Sequence, residues 1–500
     1  SAASDVYKRQ MELRSSTAKG TANKVWGYVP DRGERIVAPT IPSEVITPNN
    51  PPTGWGILGD IYSRGWQRTD NTNNFLSFFA TFAYSFKNRY VVNANVRNDA
   101  SNVFGQDINH RIDPTYSFGL SWRASEEAFF QKHLKWITTL NFRGTFGIQG
   151  NALTRESPEL ILSQQGVQPG YNRYFSTIGQ IPNPYLSWER TRNWNFGVDL
   201  ELFRMFYMNL EYYTRRSNAV ITVDLPFEYG IDDMKRNGGI IYNRGIEYTL
   251  SFTPIQKRDF SLNINLNASK NWNKGGETKI DRNTAMYLRG GSTQILKEGY
   301  PLSAFWSYSF AGLDGSNGKP MFNYVEVPDE EKSKSIDPTT YLVYSGETEP
   351  YFTGGLGFSF RYKSLSLNTS FSLLLGSKKR LPSPYSDFQG SGSMMPDPTK
   401  NVNRDLLNRW QKPGDEVYTN IPGLPTWPIE IGWTLPNTDS AESAIEMWEK
   451  SDAMVVSGSF LRCRNIGLSW QMKKEWCDKI HAKNLAINFN MDNICLLYTS

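Results

Sequence analysis

The sequence predicts an all-β chain whose strands form a transmembrane antiparallel barrel, and three observations lead there. From Phe75 to Asp492, about a dozen stretches place an apolar residue at every second position, with Asn, Ser, Thr, Gly or Arg between, the period of a strand with one apolar face. The connections between these stretches alternate between short and long, as short periplasmic turns and longer outside loops do in an outer-membrane barrel. Aromatic residues gather at strand ends, as in Tyr84, Phe86, Tyr90, Trp122, Trp136, Tyr212, Tyr362 and Trp470, where interfacial girdles belong.

The strands follow in order. Leu76, Phe78, Ala80, Phe82, Tyr84 and Phe86 make a continuous apolar file, and the opposite one, Ser77, Phe79, Thr81, Ala83 and Ser85, is mostly small or hydroxylated. Tyr90, Val92, Ala94 and Val96 alternate with Asn93, Asn95 and Arg97, and further strands centre on Phe118 and Phe142. Trp194, Phe196, Val198, Leu200 and Leu202 interleave with Asn193, Asn195, Gly197, Asp199 and Glu201. Strands at Leu210 and Leu250 come next, then Phe260, Leu262, Ile264, Leu266 and Ala268 against Ser261, Asn263, Asn265 and Asn267. Phe358, Phe371 and Leu468 centre three more, and Leu485, Ile487, Phe489 and Met491 form the last file. A cation facing lipid near the bilayer midplane costs roughly 2–4 kcal/mol. The apolar files carry charge only at Arg462 and Arg464, at one end of their strand.

Lys87–Arg89, Ala124–Lys135, Phe203–Met205, Pro254–Asp259, Lys363–Ser364 and Gln471–Asn484 read as the short turns. Asn98–Thr115, Gln149–Arg192, Thr214–Gly245, Lys270–Gly354 and Leu375–Ser459 read as the long loops. Whether the fourth of these hides another hairpin stays open; if it does, the count rises by two and the sidedness of later turns is unchanged.

Composition is compatible. Only 39% of the 500 residues are hydrophobic, and no run approaches the roughly 20 apolar residues of a spanning helix; a barrel needs only every second strand residue apolar. The net charge of +5 is spread among 49 acidic residues, which argues against a nucleic-acid surface. No compositional break divides the strands into separate domains.

The two ends stand apart. Asp5–Gln10, DVYKRQ, can be encoded by GAT-GTG-TAT-AAG-AGA-CAG, and the reverse complement of that string, read one frame over, encodes CLLYTS, which is Cys495–Ser500. One oligonucleotide in two orientations explains both, so residues 1–10 and 495–500 are expected to be a translated transposon-end sequencing adapter. Residues 11–494 would then be an internal piece of a longer protein, and the lack of a signal peptide carries no information. Without Cys495 the cysteines are Cys463 and Cys477, which make no metal framework and leave a disulfide possible but unsupported. His110, His133 and His481 are dispersed in loops and turns and read as surface residues.

Signals for catalysis are missing: no nucleophile elbow, no phosphate loop and no strand–Gly-rich–helix unit occurs. Gly354, Gly355 and Gly357 open a strand next to Leu356 and Phe358, where close backbone packing or a bend accounts for them. Asp199, Glu201, Glu211 and Glu247 fall on polar files of separate strands, as lumen carboxylates would. No carboxylate pair of the glycosidase kind is selected, no cofactor is implied, and the chain reads as a non-enzyme.

The resemblance becomes specific at the level of motifs. Ser77–Phe104 runs strand, Arg-Tyr turn, strand and R-x-D-x-S-x-x-F. It is followed by SFGLSWRASEEAF (117–129), GIQGN (147–151), NPYLSWERTRNWN (183–195) and NGGIIYNRGIE (237–247). Gly299–Gly312, Pro350–Phe358 and SFLRCRNIGLSW (459–470) complete the series. In this order the chain resembles the SusC/RagA class of TonB-dependent outer-membrane transporters of Bacteroidetes. The resemblance implies a portion of a 22-stranded plugged barrel, with the plug, the TonB-contacting segment and the last strand or two outside this chain. It implies import of an oligosaccharide, or else a peptide, with a SusD-like surface lipoprotein as lid and energy from TonB, ExbB and ExbD.

Substrate contacts in such a protein come from the plug and the long loops. Tyr171, Tyr174, Trp427 and Trp433 lie in two of those loops and offer faces that stack on sugar rings, although packing among the loops or against the lid is the simpler reading. Trp410, in NRWQKPGD, resembles a recurrent family loop segment and reads as structural. A siderophore receptor would share the barrel but not these motifs. A secreted all-β carbohydrate-binding protein would have shorter strands and no short–long alternation.

Overall fold

The computed structural model describes residues 3–23, 26–29, 34–36, 66–102, 112–151, 159–168, 173–225, 227–231, 233–277, 285–289, 296–323, 338–385, 401–424, 431–433 and 442–498. Its frame is one antiparallel sheet of 13 strands in chain order. These are β1 (Ala3–Asn23), β2 (Trp66–Phe86), β3 (Tyr90–Ser101), β4 (Ile112–Arg123), β5 (Ile137–Asn151), β6 (Glu189–Leu202) and β7 (Phe206–Asp224). They continue with β8 (Asp233–Gln256), β9 (Phe260–Gly275), β10 (Phe352–Tyr362), β11 (Leu365–Leu375), β12 (Phe460–Gln471) and β13 (Ala486–Tyr498). No described helix is long and apolar enough to cross a membrane.

Register puts the apolar residues of neighbouring strands side by side: Phe82 opposite Ala94, Ala94 opposite Phe118, Phe118 opposite Phe146, and Phe146 opposite Trp194. Nothing among the described residues covers this face; Phe118 is 45%, Phe196 50% and Phe489 56% exposed. An apolar surface of that extent in water would be a severe liability; against lipid it is the expected one. Tight three-residue turns close β2–β3 and β6–β7, with positive φ at Lys87 and Asn88 and at Phe203 and Arg204, successive left-handed residues that match strand twist in a hairpin. The lower girdle is visible as ring contacts, Trp122 with Phe142 at 5.6 Å and Trp136 with Phe203 at 5.7 Å.

Several expectations are corrected. The loop expected over Thr214–Gly245 is mostly strand: β7 runs to Asp224 and β8 starts at Asp233. Above the membrane the outward file turns polar, so the hydropathy signal stops while backbone pairing continues. Tyr212 therefore lies well inside β7, opposite Phe196 and Ile246, rather than at a strand end. Arg462 is not on the apolar file, because the register between β11 and β12 skips Arg464. That bulge places Cys463 opposite Phe371 and Arg462 opposite Ser372 on the polar side, and bulges at barrel rims re-aim side chains in this way. β1 is an additional strand whose pattern is broken at Arg9, opposite Ala80 on the apolar file.

The open question about Lys270–Gly354 is answered: β9 pairs directly with β10, so no further barrel hairpin intervenes. Instead this segment and Leu375–Ser459 build a loop layer with its own core. Leu288, Ala304, Trp306, Tyr308, Tyr341, Leu342 and Met447 form one buried cluster, and Tyr385, Leu406, Ile445, Trp448 and Met454 a second. The described apolar core thus lies in the loops. Trp410 belongs to the same layer: its indole Nε1 donates to Glu416 at 3.2 Å, and a Cβ at Gly318, whose φ is +70°, would meet its ring.

On the opposite side, Glu127 ties the short turns together. It accepts hydrogen bonds from the Tyr90 hydroxyl (2.6 Å), Arg89 Nη1 (3.0 Å) and Trp122 Nε1 (3.2 Å). The Tyr90 hydroxyl first, then Trp122 and Arg89, hold its carboxyl below the usual carboxylate range. A carboxylate with a depressed folded pKa stabilises fully above its unfolded value and loses that contribution as pH falls through the folded one. Amide exchange over residues 123–134, corrected for intrinsic rates, should therefore accelerate on acidification below the ordinary Glu range. Glu127→Gln should flatten that dependence.

Candidate functional site

The polar files of the strands make a continuous inner face. At its centre Arg143, on β5, donates through Nη2 to Asp199 Oδ1 (3.3 Å) on β6 and Glu211 Oε1 (3.0 Å) on β7. Asn209 donates to Asp199 at 2.8 Å and Asn195 to Glu211 at 3.3 Å. Gly197 stands opposite Arg143 in register, and a Cβ there would sit 3.1 Å from the guanidinium; glycine lets the side chain lie across the strand. Glu201 accepts from Thr139 at 2.9 Å.

Amide and hydroxyl pairs extend this face to both sides. Asn263 donates to Thr253 at 2.8 Å, Asn273 to Asn243 at 2.6 Å, Asn95 to Ser117 at 3.0 Å, Ser469 to Asn488 at 2.6 Å and Asn465 to Asp492 at 2.9 Å. The glycine cluster serves the same purpose, since a Cβ at Gly355 would lie 2.6 Å from Asn267 Oδ1. Asn273 also accepts from the backbone N–H of Leu302 at 2.7 Å, joining the inner face to the loop layer.

Chemically this is a wall for polar contents rather than a reaction centre. Asp199 and Glu211 share one arginine instead of converging on open space, and no metal-binding cluster occurs among the described residues. Cys463 and Cys477 are free and buried, so no disulfide joins them. With Arg143 and Glu211 partly exposed, a double-mutant cycle with Arg143→Gln and Glu211→Gln should give a coupling of only about 0.5–1 kcal/mol, read from urea midpoints of the assembled protein.

Of the four loop aromatics singled out in the sequence, Tyr171 and Trp427 lie outside the described residues. Tyr174 is on the loop strand Arg173–Gln180, paired with Val167, and Trp433 is on Ile431–Trp433, paired with Glu442. They occupy separate hairpins. The Arg143 centre was missed as a unit because only register reveals it: Arg143, Asp199 and Glu211 are far apart in sequence and adjacent across three strands.

Comparison with known proteins places this architecture. Residues 39–376 match the family model described as TonB dependent receptor-like, beta-barrel. The chain belongs to that family. As a member it is an outer-membrane β-barrel chain of a transporter family. It is 23% identical over 452 residues to TonB-dependent receptor P3 of Formosa agariphila, covering 85% of this chain and 41% of the relative. It is 25% identical over 428 residues to TonB-dependent receptor SusC of Bacteroides thetaiotaomicron, covering 81% and 38%. It thus spans about two fifths of the length of these relatives. In fold it is similar to the RagAB peptide importer in the open-open state, with a TM-score of 0.67 and 20% identity over 99% of this chain and 49% of the other. The closed-closed state gives 0.64 and 22% identity, over 87% and 45%.

Proposed function

We propose that the full-length protein imports a nutrient, an oligosaccharide or a peptide, across the outer membrane through a plugged barrel. A SusD-like surface lipoprotein covers its mouth, and TonB with ExbB and ExbD supplies the energy. The observation that carries this reading is the two-faced sheet: an uncovered apolar face toward lipid and a hydrogen-bonded polar face toward the lumen, in a chain of the TonB dependent receptor-like barrel family. Among the described residues the outer edges of β1 and β13 have no strand partner, and lipid does not tolerate unpaired backbone groups, so a closed barrel needs further strands. The packed loop layer supports a docked lid, because a preformed platform reduces the ordering cost of association. The RagAB structures are of a peptide importer, which supports a peptide as cargo; the motif resemblance to the SusC/RagA class supports the oligosaccharide alternative. Tyr171, Tyr174, Trp427 and Trp433, on segments between barrel strands, are the stacking residues for a sugar cargo. Arg9 on the apolar file of β1 supports residues 1–10 as translated adapter, with 495–500 as its counterpart.

The test is uptake in the source organism. Deletion of the full-length gene should abolish growth on one class of oligosaccharide or peptide, and the defect should be reproduced by loss of TonB. The affinity-tagged protein should bring down a surface lipoprotein. Unchanged uptake of every glycan and peptide, with a defect confined to iron limitation, would replace this reading with a siderophore receptor.

A further inference from the structure

We propose that the outward face of β6–β9, just above the apolar band on the long-loop side, binds the phosphates of an anionic outer-leaflet glycolipid. Arg192 on β6, Arg216 on β7, Arg244 on β8 and Lys270 on β9 all occupy the outward file, in line with Trp194, Tyr212, Ile246 and Ala268 respectively. All four side chains are exposed.

They also lie at similar height. Arg192 stands directly opposite Arg216; Arg216 pairs with Tyr242, two residues from Arg244; Arg244 pairs with Trp272, two residues from Lys270. The cations follow a diagonal of the register that moves toward the short turns. So does the sheet itself, since Phe206 at the start of β7 pairs with Phe252 while β8 runs on to Gln256. Strand tilt of about 40° turns such a diagonal toward the membrane plane. On β6, Leu202 to Trp194 is about 27 Å along the strand, hence about 21 Å along the membrane normal at that tilt. Arg192 is the next outward position and comes close to the edge of a band about 25 Å tall.

Electrostatics then calls for an anion. Like charges directly opposite destabilise a strand pair, and Arg192 faces Arg216. Asp199, Glu201, Glu211 and Glu247 of the same strands are on the inner files, and among the described residues none of the four cations forms an ion pair with a carboxylate. Two are steadied by rings, Arg216 at 5.9 Å from Tyr242 and Lys270 at 5.0 Å from Trp272, which leaves their N–H donors for phosphate oxygens. Below them, an apolar groove of about 590 Å³ passes over Gly144, lined by Leu120, Trp122, Phe142, Phe196, Leu210 and Tyr212. A phosphate above and an acyl chain below is the chemistry of a lipid rather than of a free ion.

The measurement is native mass spectrometry of the detergent-solubilised full-length protein titrated with bisphosphorylated lipid A. The wild-type protein should retain this lipid, should not retain its dephosphorylated form, and should not release it to inorganic phosphate. Arg216→Gln with Arg244→Gln should weaken retention about thirtyfold. Equal retention of phosphorylated and dephosphorylated lipid A overturns the proposal, and full displacement by inorganic phosphate reassigns the site to a free anion; neither arm needs a variant to assemble. The site is independent of the cargo, so the double variant should import normally once assembled.

Discussion

The full-length protein carrying Phe196→Arg should reach the outer membrane as folded barrel in a small fraction of the wild-type yield, whereas Asn195→Arg should assemble normally. The two residues are neighbours in sequence and face opposite sides of β6. Phe196 is 50% exposed, stacked on Trp194 with ring centroids 6.2 Å apart, and lies over Gly144. A guanidinium there is driven into hydrocarbon at a cost of about 2–4 kcal/mol near midplane, beyond the loss of the ring. Asn195 instead touches Glu211 at 3.3 Å on the inner face, where an added cation meets a carboxylate and water. Heat-modifiable gel mobility and yield of the two variants decide the matter, and equal values would overturn the assignment of faces.

That contrast is legible in sequence because a membrane barrel writes its sidedness into every second residue. The alternation at Trp194–Leu202 and Phe260–Ala268 locates β6 and β9 and their lipid faces without any structure. It fails where its physical cause ends. Beyond the bilayer the outward file of β7 carries Arg216 in place of an apolar residue, so the strand continues unseen to Asp224. At Arg464 one extra residue reverses the parity of β12, and no count of alternating residues reveals a bulge. The Arg143 centre depends on pairing across three strands. The loop layer escaped for a different reason: its core is built from short pieces, such as Ala304–Tyr308, which buries every residue and so shows no alternation, and Ala444–Glu449, whose single buried helical face is too short to stand out.

Arg380→Met should loosen this loop layer while leaving the sheet intact. Arg380 ends the short strand Lys378–Arg380 of the loop layer, donating Nη1 to the Arg289 carbonyl at 2.6 Å and Nη2 to the Trp306 carbonyl and to Ser307 Oγ at 3.1 Å. Its guanidinium lies 4.9 Å from the Phe305 ring centroid. Burial and the neighbouring Arg289 push its pKa down to about 10, which still leaves it charged at neutral pH. Trp306 and Ser307 are 2% and 0% exposed, so water does not replace the lost donor, and each stranded acceptor costs about 1–3 kcal/mol. A total near 3 kcal/mol is expected, concentrated on the strand pair Ala304–Tyr308 and Leu342–Glu347. Arg380→Lys should recover only part of it, because an ammonium lacks the fork that spans three acceptors. Hydrogen exchange of the full-length protein reads the difference: protection should fall at 304–308 and 342–347 and remain unchanged along β6–β9. Uniform loss across both would mean that the loops and the barrel unfold as one unit.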